Sequence, residues 1–220
     1  RERELVEALA ALGVQRHYWL DEIGEIRIVD SGMVWGSDGE VLPAPNAPEN
    51  ALSNIAVSDV ADRMASILSD ALPDVVVSEE PGGGYGHPDH VRTVEGLAIT
   101  IGMAMYNRPM WLWAHRPAEQ WRAGLRALAA YDAGEFALPD PDGPLPPMTE
   151  DHRLPRVVVD ISGVRQHILA AMEAHASQIQ GIEAIDGDPD IIGRYALSNG
   201  VWCPLLAKET YEVVFGHADL

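Results

Sequence analysis

The chain has 220 residues and a mass of 23.9 kDa. That suits one sizeable domain or two small ones, and the 47% hydrophobic, 22% charged composition excludes disordered, collagen-like and coiled-coil classes. Fifteen basic against 34 acidic side chains give a formal charge of -19, which argues against nucleic-acid and membrane partners because such a surface repels phosphate backbones and anionic lipid. The longest nearly apolar run, residues 97–106, falls short of the roughly 18 residues a membrane span needs. The lone Cys203 forms no internal disulfide, fits a reducing cytoplasm and reads as a buried, inert thiol.

Leu5, Leu9 and Leu12 at helical spacing, with Gly13 as a stop, predict a helix at the start of the chain. Nothing before Arg1 caps it. Residues 14–20 carry Val14, Tyr18 and Trp19 in a short run and predict a strand. Residues 21–54 are rich in Gly, Pro, Asn and Asp and read as a long loop, functional or mobile. Ser58 or Asp59 is expected to cap a helix running to about Leu72. A buried strand is expected over 75–78, then a glycine loop over 81–86, then a helix opened by Pro88 and reaching about Tyr106. Further on, strands are expected at 110–113, 156–161 and 211–215, and helices at 118–131 and 163–177. Residues 132–155, rich in Pro and Asp, read as a surface excursion within a single domain spanning 1–220. Strands alternating with helices predict a three-layer, mostly parallel α/β sheet. Ligands bind such sheets beyond the carboxyl ends of the strands, which is where the loop after 75–78 lies.

That loop carries the strongest chemical signal, Tyr85-Gly86-His87-Pro88-Asp89-His90. Two histidines three apart at the mouth of a helix can converge on one centre, and an aspartate between them can orient one imidazole. Glycines allow close backbone approach to a ligand, and zinc accepts imidazole nitrogen and carboxylate oxygen. A helix cap with Asp89 in the first turn and two surface histidines is the competing reading. No Gly-Lys-Ser/Thr follows the glycines, so they make no phosphate loop. His175 either reaches the pocket or complements the end of its helix. Trp111, Trp113 and Trp121 either stack on a sugar or pack the core. His17, His115, His152, His167 and His217 match no motif and read as surface or structural residues.

Residues Gly83-Gly84-Tyr85-Gly86-His87-Pro88-Asp89-His90-Val91 resemble the second motif of the LmbE-like (PIG-L) zinc N-deacetylases. Within that family they look most like the branch that acts on N-acetylglucosaminyl-inositol in mycothiol biosynthesis. Arg1 with Glu4-Leu5 and Leu12-Gly13-Val14, Asp30-Ser31-Gly32-Met33, Ala174-His175-Ala176-Ser177-Gln178, and Leu197-Ser198-Asn199 with Pro204 and Tyr211 agree in order. The likeness covers nearly the whole chain and is weakest over 109–155.

The resemblance implies a cytoplasmic, zinc-dependent hydrolase with a Rossmann-like sheet. It would release acetate from a small N-acetylated amino sugar such as N-acetylglucosaminyl-inositol. It makes His90 the zinc ligand. His87 would stabilise the tetrahedral intermediate and protonate the leaving amine, Asp89 would orient His87, and Tyr85 would polarise the acetyl carbonyl. Arg1 and Asp30 would hold the sugar or its aglycone. The family's first motif, a His-Pro-Asp-Asp turn after the first strand, occurs nowhere in the 220 residues. The expectation is that this strand and the remaining zinc ligands lie upstream of Arg1. Alternatives are a mycothiol-conjugate amidase, an antibiotic-sugar deacetylase, or a metal-free carbohydrate-binding homologue. Homo-oligomers are compatible with all of these.

Overall fold

Alternating helices and strands build a mixed α/β structure, seen here in a computed structural model that describes residues 1–24, 26–35, 41–103, 108–146, 149, 154 and 156–216. The chain divides into two compact units. The first comprises Arg1–His17, Arg116–Asp151 and Val158–Thr210, and the second Tyr18–His115, His152–Val157 and Tyr211–Leu220. No described helix is long and apolar enough to cross a membrane.

In the second unit β1 (Met33–Trp35) and β2 (Val41–Pro43) form an antiparallel hairpin. There follow α2 (Val57–Ala71), β3 (Val75–Ser78), a short helical turn α3 (Gly83–Gly86), α4 (Pro88–Met103) and β4 (Met110–His115). β3 pairs in parallel with β4, bringing Ser78 opposite Trp113. With β5 (Arg156–Asp160) and β9 (Lys208–Phe215) they make a sheet of order β3-β4-β9-β5. Val94, Leu97 and Ile101 of α4 pack on Trp111, and Met64, Leu68, Val76, Trp113 and Val214 close around them. Burying each such aliphatic side chain contributes about 1.5–3 kcal/mol. A Cβ on Gly96 would lie 2.5 Å from Val60 Cγ1, so the glycine is what lets α4 approach α2 this closely. β3 is buried on one side only: Val76 joins the cluster, while Val75 and Val77 stay 37% and 52% exposed.

In the first unit α1 (Glu2–Ala11) packs on α6 (Arg165–Ala174). Ser177 donates its N–H and its hydroxyl to the Glu4 carboxylate, at 2.9 and 2.7 Å. α5 (Ala118–Leu128) lies against an antiparallel meander of β6 (Ile179–Ala184), β7 (Ile191–Leu197) and β8 (Trp202–Leu206). Leu128, Ile185, Ile191, Ala196 and Trp202 form its core, with Phe136 and Leu138 packed against them. Arg194, only 6% exposed, donates twice to Glu183 Oε2, at 2.9 and 2.6 Å, and once to the Asp132 carbonyl at 2.6 Å. Its guanidinium carbon sits 4.1 Å from the Trp202 ring centroid. Half-buried Cys203 has its thiol pushed up by burial, so it stays protonated and unreactive at neutral pH.

Several elements differ from the sequence expectations. Residues 14–19 are irregular and lead into a 3-10 turn, Leu20–Glu22, rather than forming a strand. β-favouring side chains do not make a strand without a neighbour to complete the ladder. Residues 21–54 hold the β1–β2 hairpin and a second 3-10 turn, Leu52–Asn54. α2 starts at Val57 behind the N-cap residue Ala56, whose carbonyl accepts from Asp59 and Val60, and no side chain caps it. The Ser58 hydroxyl faces the Asp59 carboxylate instead. The antiparallel meander was not expected; with it, two of the three sheets among the described residues are antiparallel. Trp111 and Trp121 are core residues, 7% and 4% exposed. The expected end of α4 near Tyr106, and His152 and His217, lie outside the described residues.

Candidate active site

The site begins where β3 ends. Trp111 Nε1 donates to Ser78 Oγ at 2.9 Å, and Ser78 in turn donates to the Glu79 carbonyl at 2.8 Å, anchoring the loop to the parallel pair. Glu80 then organises the glycines. Its carbonyl accepts from the Gly83 N–H at 2.8 Å, and its carboxylate accepts from Gly84 at 2.8 Å and from Gly82. Gly83, at φ +66, could hold no side chain, since a Cβ there would lie 2.8 Å from the Val91 nitrogen and 2.9 Å from His90 Cβ. The glycine turn is thereby pressed against the first turn of α4.

Pro88 opens α4, its fixed φ matching the helix, and the residue before it is extended as a proline requires (His87 φ -61, ψ 130). His87 also serves the helix end. Its carbonyl accepts from Val91 at 3.1 Å, and its Nδ1 accepts from the Asp89 N–H at 3.2 Å. A neutral His87 therefore carries its proton on Nε2. The cap reading of this histidine is thus true of Nδ1, and Nε2 is left for other work.

The structure draws five of the six sequence candidates together. Ligand atoms of Asp30, His87 and Asp89 all lie within 4.8 Å of one another. The His87 and His90 ring centroids are 4.9 Å apart, and Tyr85 stands edge-on to them at 6.1 and 5.4 Å. Arg1 belongs to the first unit, where it is the exposed residue preceding α1. His175, also in that unit, is the C-terminal cap residue of α6.

Four residues that sequence reasoning passed over, Ser31, Arg92, Glu79 and Glu80, shape the site. Ser31, 2% exposed, donates its N–H to Asp89 Oδ2 at 3.1 Å and its hydroxyl to Oδ1, while accepting from the Ser53 N–H at 2.9 Å. Arg92 Nη2 donates to the Ser53 carbonyl at 2.7 Å, closing the chain of contacts. Glu79 Oε2 lies 2.7 Å from His90 Nδ1, and Glu80 caps the glycines. Ser31 sits in Asp30-Ser31-Gly32-Met33, a signal in which only the aspartate was read.

Charge sets the protonation states. The hydrogen bond to Glu79 outweighs burial and holds His90 above the usual imidazole value. Burial, then the carboxylates of Glu79 and Asp30, push the Tyr85 phenol up, so it remains a donor at neutral pH. Imidazole nitrogens and carboxylate oxygens are a donor set that suits zinc, and the Asp30, His87, Asp89 group is a possible metal-binding trio. Its atoms are partly engaged already: both Asp89 oxygens by Ser31, one Asp30 oxygen by the Gly32 N–H at 2.8 Å, and His87 Nδ1 by Asp89. His90 binds its partners only through Nδ1 among the described residues.

Residues 1–101 match the family model for GlcNAc-PI de-N-acetylase, PIG-L. A protein of Nocardioides sp. named 1D-myo-inositol 2-acetamido-2-deoxy-alpha-D-glucopyranoside deacetylase is 37% identical over 217 residues, covering 91% of this chain and 67% of its own length. Proteins of the same name from Kineococcus radiotolerans and Actinosynnema mirum are 35% and 34% identical, covering 99% and 100% of this chain and 62% and 71% of their own lengths. The chain thus spans about two thirds of the length of these curated relatives.

Proposed function

Because the chain belongs to the GlcNAc-PI de-N-acetylase (PIG-L) family, we propose that it is a zinc-dependent hydrolase that removes the acetyl group from a small N-acetylated amino sugar. N-acetylglucosaminyl-inositol is the substrate its relatives' names favour. The observation that carries this reading is the convergence of Asp30, Tyr85, His87, Asp89 and His90 beyond the end of β3. A cytoplasmic location and a single domain over 1–220 belong to the same reading. So does a three-layer Rossmann-like sheet, supported by the parallel β3–β4 pair under α2 and α4. A strand and His-Pro-Asp-Asp turn upstream of Arg1 rest on the family resemblance alone.

His90 would hold the zinc through Nε2. Bound zinc contributes Lewis acidity, which makes a nucleophile available near neutral pH and polarises a carbonyl. The rest falls to the chain's own groups. Tyr85, kept protonated, donates to the acetyl carbonyl oxygen and strengthens that bond as negative charge grows there. His87 would act as the imidazolium: its Nε2–H stabilises the tetrahedral intermediate and passes to the leaving amine, which cannot depart as an anion, and neutral imidazole remains. Asp89, gripped by Ser31 on both oxygens, holds its backbone N–H on His87 Nδ1 and so orients that ring in its neutral form. Asp30 accepts sugar hydroxyls with its remaining capacity. Arg1 is a substrate contact on resemblance alone.

Acetate release from N-acetylglucosaminyl-inositol by the full-length protein, with and without zinc, tests the proposal. Zinc-dependent release is expected. Absence of release from this substrate and from N-acetylglucosamine glycosides generally would sink it.

A further inference from the structure

Resting on the reading of His90 as a zinc ligand, we propose that Glu79 is the positioning carboxylate for that ligand, gripping the imidazole at Nδ1 so that Nε2 is turned to the metal. Glu79 Oε2 lies 2.7 Å from His90 Nδ1, and the Gly83 carbonyl lies 3.3 Å from the same nitrogen. Two oxygens thus hold one ring nitrogen. They come from the segment between β3 and α4, and the ring comes from the first turn of α4, so the grip sets the ring against two anchored elements. A neutral imidazole has one donor and one acceptor nitrogen. Donating through Nδ1 leaves the Nε2 lone pair for a cation, and a carboxylate behind the ring makes that lone pair more basic.

The neighbouring carboxylates are committed elsewhere: Glu80 to the amides of Gly82 and Gly84, and Asp89 to Ser31. Glu79 and His90 keep 41% and 36% of their side-chain surface exposed. Exposed pairs of this kind contribute little to stability, so what the contact supplies is orientation. His90 is therefore served by Glu79, while His87 Nδ1 is met by the backbone N–H of Asp89. The two histidines of the turn thus have different partners at Nδ1, a carboxylate for His90 and a backbone N–H for His87.

The test measures zinc affinity of the full-length protein by competition with a chromogenic chelator, alongside the melting temperature of the zinc-free form. Glu79→Ala should weaken zinc binding roughly 10- to 100-fold and leave the zinc-free melting temperature unchanged. Glu79→Gln, which keeps an acceptor oxygen, should lose less. His90→Ala should lose far more, and adding Glu79→Ala to it should cost nothing further. If His90→Ala loses zinc while Glu79→Ala binds it like the parent, the proposal is wrong and the reading of His90 stands. If Glu79→Ala loses as much as His90→Ala, Glu79 is itself a ligand and the assignment is overturned. A lowered melting temperature for zinc-free Glu79→Ala would make the contact structural. Zinc retained by His90→Ala would remove the reading on which the proposal stands.

Discussion

The Arg194 cluster of the first unit and the Tyr85–His90 turn of the second are made from the same materials: a cation, carboxylates, an aromatic ring and backbone carbonyls. Around Arg194 the bonds close on one another. The guanidinium gives to Glu183 and to the Asp132 carbonyl and lies on Trp202, whose own Nε1 donates to the Ala133 carbonyl at 2.8 Å. At the turn only half are closed. Glu80 takes the glycine amides, and each histidine uses its Nδ1, yet among the described residues no hydrogen bond ends on either Nε2 or on the Tyr85 hydroxyl. A polar cluster that satisfies all its valences braces a fold; one that holds its backbone firmly and leaves side-chain valences over can meet a substrate.

This contrast fails if the two regions respond alike to substitution. The largest effect is expected at the turn. In the full-length enzyme, His87→Ala should lower kcat roughly 100- to 10,000-fold, because an interaction made in the transition state appears there. Zinc content measured on the same sample should stay near that of the parent; if the zinc leaves as well, His87 is a ligand and its assigned role is wrong. At the brace the response should be the reverse. Arg194→Met removes charge-assisted hydrogen bonds and a cation–π contact, for about 2 kcal/mol of stability. Urea unfolding should register that loss while kcat stays at the parent value.

Smaller effects sharpen the comparison. Ser31→Ala frees one Asp89 oxygen, and kcat should fall about tenfold with little change in KM, as for removal of a partner that orients a reacting group. A change confined to KM would place Ser31 on substrate binding instead. The smallest effect concerns Glu4, which the hydroxyl and then the N–H of Ser177 hold below its ordinary value of 4.5. A lowered carboxylate stabilises above its unfolded pKa and loses that contribution as pH falls through the folded one. The urea midpoints of the parent and Ser177→Ala should therefore differ slightly at neutral pH and converge below Glu4's lowered value. A gap that persists in acid would mean that Ser177 stabilises the helix pair by some other route.

What the sequence disclosed follows from how local each signal is. Val75-Val76-Val77, the glycine run, Pro88 and the spacing of His87 and His90 are features of a few adjacent residues, and β3, the turn and the start of α4 came out of them. Ser31 grips Asp89 across 58 positions, and only the folded chain brings such a pair together. Glu79 was legible as an acid but not as His90's acid, because Glu80 and Asp89 are nearer to His90 in sequence and the glycine turn decides which faces which ring. At residues 14–20 composition misled, since a strand exists by its neighbour's hydrogen bonds. The meander was missed differently. Gly181 and Gly193 lie inside its strands, close to register shifts, and these blurred a two-residue alternation that Asn199-Gly200 still announced as a hairpin.

The position of β3 has a consequence for handling the protein. Among the described residues it is the first strand of its sheet, with Val75 and Val77 exposed, and wherever no further strand covers such an apolar edge it is a template for intermolecular pairing. What opposes this is the formal charge of -19, which keeps copies apart over about 10 Å in 0.1 M salt but only about 3 Å in 1 M. Colloidal stability is then lent by the acidic surface rather than secured by the sheet, and concentrated salt withdraws it, so dilute buffers well above the isoelectric point of about 4.6 are where this chain should stay in solution.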